Sequence, residues 1–132
     1  MSDTSLAKKL RLLPGNQALI LNAPGGFLQL LGNLPDGVVL SVDPQGVYDF
    51  VMIFVNSVAE FEKGVPAAAS AGRYDCILWV AYPKKSSGLK TDINRDVTWK
   101  LAEPIGLRPV TQIALDDIWS ALRFRPAEKV GS

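Results

Sequence analysis

The chain of 132 residues contains no histidine and only one cysteine, Cys76. Histidine is the commonest general base, and histidine and cysteine are the usual zinc ligands, so imidazole catalysis and a zinc centre are not expected. Cys76 lies in the apolar run CILWV, where a thiol behaves as a small buried hydrophobe rather than a nucleophile. A single unpaired cysteine favours a reducing, cytoplasmic location.

The chain also lacks an excess of charge of either sign and any long apolar run. Lys and Arg number 14 against 13 Asp and Glu, a net charge of +1, so no nucleic-acid partner is expected. No apolar run is long enough for a membrane span, and basic residues interrupt the apolar positions near the N-terminus, unlike a secretory signal. We therefore expect no membrane contact and one domain over 1–132, with loose tails at about 1–4 and 127–132.

Strand and helix patterns alternate along the chain. Apolar runs typical of β-strands lie at 18–22, 38–42, 48–55 and 75–82. Apolar residues at helical spacing predict helices that begin near Ser5, Phe27, Ser57 and either Thr91 or Asp92. The segments 110–115 and 119–125 are close enough to pair as a hairpin through Asp116 and Asp117.

Two of the predicted helices carry specific signals. Ser57 and Glu60 fit a capping box, in which each side chain binds the backbone amide of the other residue. Pro66 lies in the same helix and is expected to kink or restart it. The helix after residue 91 places Trp99 roughly opposite its apolar face, where the ring could contact a ligand or partner or pack at the edge of an element.

Strands that alternate with helices predict a three-layer α/β sandwich with a mainly parallel, Rossmann-like sheet. The expected strand order is 2-1-3-4-6-5, and the C-terminal hairpin adds antiparallel strands. The Tyr-Asp pairs at 48–49 and 74–75 should then mark the starts of neighbouring parallel strands. Met52 and Leu78 should lie buried near the middle of the sheet.

A ligand site is expected where the chain changes direction across the sheet, at the carboxyl ends of strands 1 and 3. The candidate ligand-binding residues in the loops there are Asn22, Gly25, Gly26, Phe27, Asn56, Ser57, Lys84, Lys85, Ser86, Ser87 and Thr91. Lysine charge, hydroxyl donors and a following helix N-terminus suit a phosphate or carboxylate, so 84–87 should face 22–27 around an anion-sized space. The alternative is a solvated loop whose lysines keep this end of the sheet soluble.

Three stretches carry a resemblance to a known family: LLPGNQALILNAPGGFLQLLG, YDFVMIFV and WVAYPKKSSGLKTDINRDV. They resemble the bacterial family known as domain of unknown function 3052. The likeness runs from about Leu10 to Phe124, and LNAPGG and PKKSSG followed by Thr-Asp are its most specific parts. It implies a small cytoplasmic α/β protein and supplies no catalytic residues.

The layout is more distantly similar to a shortened S-adenosylmethionine methyltransferase. Such an enzyme has a G-x-G-x-G turn after strand 1 and an acidic residue after strand 2. Here only Gly25 and Gly26 remain, Pro24 removes an amide donor, and Asp43 also fits an ordinary turn.

Two functions are therefore open. The first is a non-catalytic module that binds a small anionic molecule, and the second is a small enzyme with a nucleotide-like cofactor such as S-adenosylmethionine. The scarcity of reactive side chains favours the binding module.

Overall fold

The computed structural model describes residues 6–31, 34–42, 46–84, 88 and 91–129. The elements of this part of the chain are, in order, α1 Leu6–Lys9, β1 Gln17–Leu21, α2 Phe27–Leu31, β2 Val39–Ser41, β3 Tyr48–Phe54, α3 Val58–Ala71, β4 Gly72–Pro83, α4 Arg95–Ala102, β5 Leu107–Ala114 and β6 Trp119–Pro126. Short 3-10 turns follow α4 at Glu103–Ile105 and β6 at Ala127–Lys129. Within the described ranges, no helix combines the length and the apolar character that crossing a membrane requires.

The described strands form one mixed sheet of six strands in the order β2-β1-β3-β4-β6-β5. β1 is parallel to β2 and β3, and β3 is parallel to β4. β6 is antiparallel to both β4 and β5. The predicted strand order, the parallel first four strands and the closing hairpin are confirmed, as is the burial of Met52 and Leu78.

The core lies on both faces of the sheet, because successive side chains of a strand point to opposite faces. Val51 and Ile53 of β3 belong to one buried cluster, to which α3 and α4 contribute. Phe50 and Met52 belong to a second cluster, to which α1 and α2 contribute. The central strand is therefore apolar on both sides, as its uninterrupted apolar sequence predicts.

The two Tyr-Asp pairs do not occupy equivalent places in the sheet. Tyr48 begins β3, but Tyr74 is the third residue of β4 and lies within a bulge. Tyr48 pairs with Gly72 and Phe50 pairs with Ile77, so four residues of β4 lie opposite a single residue of β3. The prediction is correct for the first pair and wrong for the second, because a local pattern carries no information about register across strands.

The start of α3 also differs in detail from its prediction. Ser57 Oγ accepts a hydrogen bond from the Glu60 amide at 3.1 Å, as a capping box requires. The Glu60 carboxylate, however, accepts from the Asn56 amide at 2.9 Å rather than from that of Ser57. The helix then runs from Val58 to Ala71 with Pro66 inside it, so it does not restart there.

Helix α4 begins later than predicted. Asn94 is its N-cap, and Asn94 Oδ1 accepts from the Val97 amide at 3.0 Å. Neither Thr91 nor Asp92 caps α4; both bind the loop that precedes α3 and the first turn of that helix. The sequence offers several capping residues in succession, and tertiary contacts decide which of them caps this helix.

The described segment after β6 is Ala127–Lys129. It folds into a 3-10 turn in which the Glu128 carboxylate accepts a hydrogen bond from the Tyr74 hydroxyl. The Lys129 ammonium lies 6.0 Å from the centroid of the Tyr74 ring. The predicted loose tails at 1–4 and 127–132 stay a prediction, and 1–4 and 130–132 lie outside the described residues.

Candidate functional site

The segment from the end of β1 to the start of α2 contains four of the predicted ligand residues, Asn22, Gly25, Gly26 and Phe27, the last of which begins α2. Asn22 has φ of 60° and Gly26 of 88°, left-handed conformations that turn the chain sharply from β1 into α2. Phe27 is buried, and its ring packs edge-on against Phe54 with 4.7 Å between centroids. The aromatic side chain of this segment thus supports the core, while the two glycines lie exposed at the surface.

The structure brings together three predicted ligand residues from two segments, Asn56 and Ser57 before α3 and Thr91 before α4. Hydrogen bonds join these two segments. The Thr91 hydroxyl donates a hydrogen bond to the Asn56 carbonyl and accepts one from the Ile93 amide at 3.2 Å. Asp92 Oδ1 accepts from the Val58 amide at 2.8 Å. These polar groups satisfy the first turn of α3, which gives them a structural role.

Lys84 lies just beyond β4, where its backbone amide donates to the Ile118 carbonyl at 2.7 Å. That bond holds the start of the loop against the β5–β6 hairpin. The remaining predicted residues of this loop, Lys85, Ser86 and Ser87, lie outside the described residues. The expected gathering of all four around an anion-sized space therefore stays a prediction.

A cavity of about 450 Å³ opens at the carboxyl end of β4, between α4 and the β5–β6 hairpin. We call it the α4 cavity. Its described lining residues are Tyr82, Lys84, Asn94, Arg95, Asp96, Gln112 and Ser120. Lys84 thus contributes to a space that borders α4, β5 and β6, whereas the sequence predicted one that borders the turn at 22–27.

Two nearly buried hydroxyls lie on the same face of the sheet in this cavity. Tyr82 is 3% exposed and Ser120 is 6% exposed. They are directly opposite each other in the antiparallel pairing of β4 with β6, so their side chains point to the same side. Gln112 Nε2 donates to the Tyr82 hydroxyl oxygen at 3.0 Å, which leaves the Tyr82 hydrogen available for donation.

Neither hydroxyl has an acceptor among the described residues. The Ser120 side chain makes no hydrogen bond in this part of the chain, and Tyr82 takes part only as the acceptor of Gln112. Among the described residues the buried side-chain polar atom without any partner is Arg123 Nε, whereas the Tyr82 and Ser120 hydroxyls open onto the cavity, where a bound acceptor would take their hydrogens.

The charged groups at the rim are arranged for the same kind of ligand. Lys84 and Arg95 are the cations among the described lining residues, and the N-terminus of α4 adds a partial positive charge. Arg95 and Asp96 form an ion pair at 3.4 Å, with side chains 58% and 76% exposed. An ion pair so exposed contributes little to stability, so an anion can compete for Arg95.

The raised pKa of Tyr82 keeps its hydroxyl protonated, so the group can donate a hydrogen bond. Burial of the phenol raises the pKa of Tyr82 above its ordinary value, and the nearby Asp96 acts in the same direction. Arg95 and the hydrogen bond from Gln112 oppose this shift without reversing it. Tyr82 is therefore neutral at physiological pH and presents its proton to the cavity.

Sequence reasoning placed neither of the two hydroxyls at a site. Tyr82 reads as the end of an apolar strand, and Ser120 as one polar residue in the strand WSALRFR. The sequence signal that could have indicated the site is Ser120 itself, a polar residue whose neighbours in the predicted strand, Trp119, Ala121 and Leu122, are apolar. Only the pairing of β4 with β6 shows that this serine faces Tyr82.

A second, larger cavity of about 610 Å³ lies at the other end of β4, beside the bulge. Its charged residues bind other protein side chains. Asp75 binds Arg125 through two hydrogen bonds of 2.9 and 2.7 Å, and Arg73 binds Asp49 at 2.7 Å. The electrostatic groups here hold the bulge in place rather than leaving a charge for a ligand.

The described residues contain no group of three or more His, Cys, Asp or Glu side chains that could hold a metal ion. A comparison of the chain with models of known protein families finds no match, and a comparison with curated proteins finds none either. The family resemblance drawn from the sequence therefore stays a prediction.

Proposed function

We propose that this chain is a cytoplasmic, non-catalytic module that binds a small anionic molecule in the α4 cavity. The observation that carries the proposal is the pair of buried hydroxyls, Tyr82 and Ser120, whose hydrogens have no acceptor among the described residues. A phosphate or carboxylate would accept both hydrogen bonds. Lys84 and Arg95 would balance its charge.

The binding energy would come mainly from the buried donors. Hydrogen bonds to a charged group contribute about 1.5 to 3 kcal/mol each. The two cations contribute less, because Arg95 is exposed and its charge is screened by solvent. Asp96 opposes an anion, and its carboxylate is 76% exposed, so solvent screens that repulsion.

The scarcity of reactive side chains near the cavity favours binding over catalysis. The chain has no histidine, and Cys76 lies beside the cavity at the opposite end of β4. Asp96 is the one carboxylate among the described lining residues. Binding therefore explains the arrangement without a catalytic step.

We also propose that the sheet is a Rossmann-like three-layer sandwich of a degenerate methyltransferase-like kind, and that the chain belongs to the domain of unknown function 3052. Support comes from the parallel strand order β2-β1-β3-β4 and from helices that contribute to both buried clusters. The loop after β1 departs from the methyltransferase pattern, since Pro24 and the buried Phe27 occupy it.

The test is calorimetric titration of the parent and two near-isosteric variants, Tyr82→Phe and Ser120→Ala, with inorganic phosphate and with phosphorylated metabolites. Each variant removes one hydroxyl and should weaken the binding of an anion by roughly tenfold or more, because one hydrogen bond to a charged group is lost. Stability should change little for Tyr82→Phe, since the exposed Gln112 amide can bind water instead.

The matched control is Lys9→Ala, which removes one charge from α1, a helix that contributes to the buried cluster on the other face of the sheet. It should leave anion affinity unchanged, whereas Lys84→Ala combined with Arg95→Ala should reduce it. Equal affinities in the parent, Tyr82→Phe and Ser120→Ala would refute the proposal. Stabilisation by S-adenosylmethionine alone, with no response to any other anion, would favour the enzyme instead.

A further inference from the structure

A third cavity adjoins the α4 cavity along the same helix. Its volume is about 570 Å³, and its described lining residues are Asp96, Trp99, Lys100, Glu103 and Arg108. We call it the Trp99 cavity. Asp96 lines both cavities, so they adjoin at that residue.

The helical spacing explains why these residues share one surface. Positions 96, 99, 100 and 103 are three or four residues apart, and residues so spaced are neighbours on a helix. Trp99 is 45% exposed, whereas Trp79 and Trp119 are buried in the core. A large apolar ring thus lies open to solvent in the Trp99 cavity, and the adjoining α4 cavity is lined by the Tyr82 and Ser120 hydroxyls.

We infer that the ligand of the α4 cavity is a mononucleotide-like molecule, with its anionic group at Tyr82 and Ser120 and its planar base stacked on Trp99. This inference rests on the proposed function, because it extends the same site. Stacking of a base on an aromatic side chain needs only a π-face, and the exposed indole supplies one. The cations Lys84 and Arg95 lie at the anion end.

The dimensions and the charge between the two ends fit such a ligand. Trp99 lies five residues beyond the cap Asn94, a rise of roughly 7.5 Å along the helix axis, so a linker must separate the anion from the ring. Asp96 lies between them, and its exposed carboxylate can accept hydrogen bonds from sugar hydroxyls. A carboxylate there disfavours a second anionic group and favours a neutral, hydroxylated linker.

The test compares three probes by calorimetric titration of the full chain: inorganic phosphate, adenosine and adenosine monophosphate. Adenosine monophosphate should bind between about fivefold and 150-fold more tightly than phosphate, the range that stacking of one base provides. Stacking of the base should also change the tryptophan fluorescence of the protein. The change can be assigned to Trp99, because the other two tryptophans are buried. Adenosine alone should bind more weakly than the monophosphate.

Variants then assign the difference to Trp99. Trp99→Ala should lower the affinity for adenosine monophosphate to about that for phosphate and leave phosphate binding unchanged, whereas Trp99→Phe should retain most of the difference. Tyr74→Ala is the matched control, since Tyr74 is also an exposed aromatic residue but lines the cavity beside the bulge. It should change neither affinity.

The outcomes separate this inference from the function on which it rests. If phosphate binds and Tyr82→Phe weakens it, but adenosine monophosphate binds no more tightly than phosphate, the inference is overturned and the proposed function stands. An advantage of the monophosphate that survives Trp99→Ala also overturns the inference. If adenosine binds as tightly as its monophosphate, or if no probe binds, both fall.

Discussion

Cys76, a single thiol, lies at the bulged end of β4 among apolar neighbours. Gly72 makes room for it, because a Cβ at that position would come too close to the Cys76 sulfur for any side chain to fit without movement. Burial raises the pKa of Cys76 to about 11, chiefly because the apolar surroundings disfavour the thiolate. The group is therefore a packing element rather than a nucleophile.

We expect iodoacetamide to label Cys76 far more slowly in the folded protein than in denaturant at about pH 8. A pKa two units above the ordinary value of 9 lowers the thiolate fraction roughly 100-fold, and the limited exposure of the side chain lowers the rate further. Mass spectrometry of the alkylated protein over time measures both rates.

Glutathione at the same pH serves as the control for the reagent itself. Similar labelling rates with and without denaturant would contradict the burial of this thiol. They would then require the bulged end of β4 to open readily.

At the scale of elements, the bulge in β4 is held by pairs of charges. The Arg125 guanidinium donates two hydrogen bonds to Asp75, and this contact holds the pKa of Asp75 below its ordinary value of 3.8. Asp49 accepts hydrogen bonds from the Gln17 amide and from Arg73, and these lower the pKa of Asp49, the Gln17 amide most. The two carboxylates link β1, β3, β4 and β6 where backbone pairing is irregular.

The replacement Asp75→Asn should lower the melting temperature at pH 7 by a few degrees, because the bidentate contact with Arg125 loses its charge. Since the folded pKa of Asp75 lies below 3.8, its ionised form stabilises the fold above that pH. This contribution disappears as the pH falls through the lowered pKa. The difference between parent and variant should therefore shrink on acidification, as thermal unfolding across this pH range would measure.

Asp117→Asn provides the comparison, because Asp117 lies exposed in the turn between β5 and β6. Its replacement should change the melting temperature little at any pH. A constant difference between the parent and Asp75→Asn from neutral to acid pH would show that the ion pair is not the source of the stabilisation.

At the scale of the whole molecule, the sheet could be predicted from the sequence and the site only in part. The strand order follows from apolar runs, helix patterns and the right-handed crossover, all of which are local or general properties. The cavity depends on which strand lies beside which. Ser120 faces Tyr82 only through the β4–β6 register, and Lys84 joins them because its amide binds Ile118.

The same reason explains the errors over Tyr74 and over the caps of α4. The bulge places four residues of β4 opposite one residue of β3, and the sequence of neither strand alone predicts it. Asp92 is a residue type that commonly caps helices, and the sequence predicts it as a candidate cap of α4. Its carboxylate instead accepts a hydrogen bond from the Val58 amide of α3. Contacts between distant segments decide both cases, and a single sequence does not contain them.

Amide hydrogen exchange should follow the order of the strands. β3 and the central part of β4 are paired on both sides and buried, so their amides should exchange roughly tenfold or more slowly than those of the edge strands β2 and β5. Exchange measured by NMR or mass spectrometry at neutral pH tests this. Equal protection of β2 and β3 would mean that the sheet opens as one unit.

The bulge in β5 between Pro109 and Thr111 has a consequence for association with other chains. β5 is a long strand at the edge of the sheet. The backbone amides and carbonyls of such a strand can pair with a strand of another chain, and repeated pairing would give a fibril. Pro109 supplies no amide hydrogen, and the extra residue twists the strand away from the straight path that stacking requires. The irregularity, together with the exposed charge of Arg108 in the same strand, thus protects the longer outer border of the sheet against amyloid-like growth.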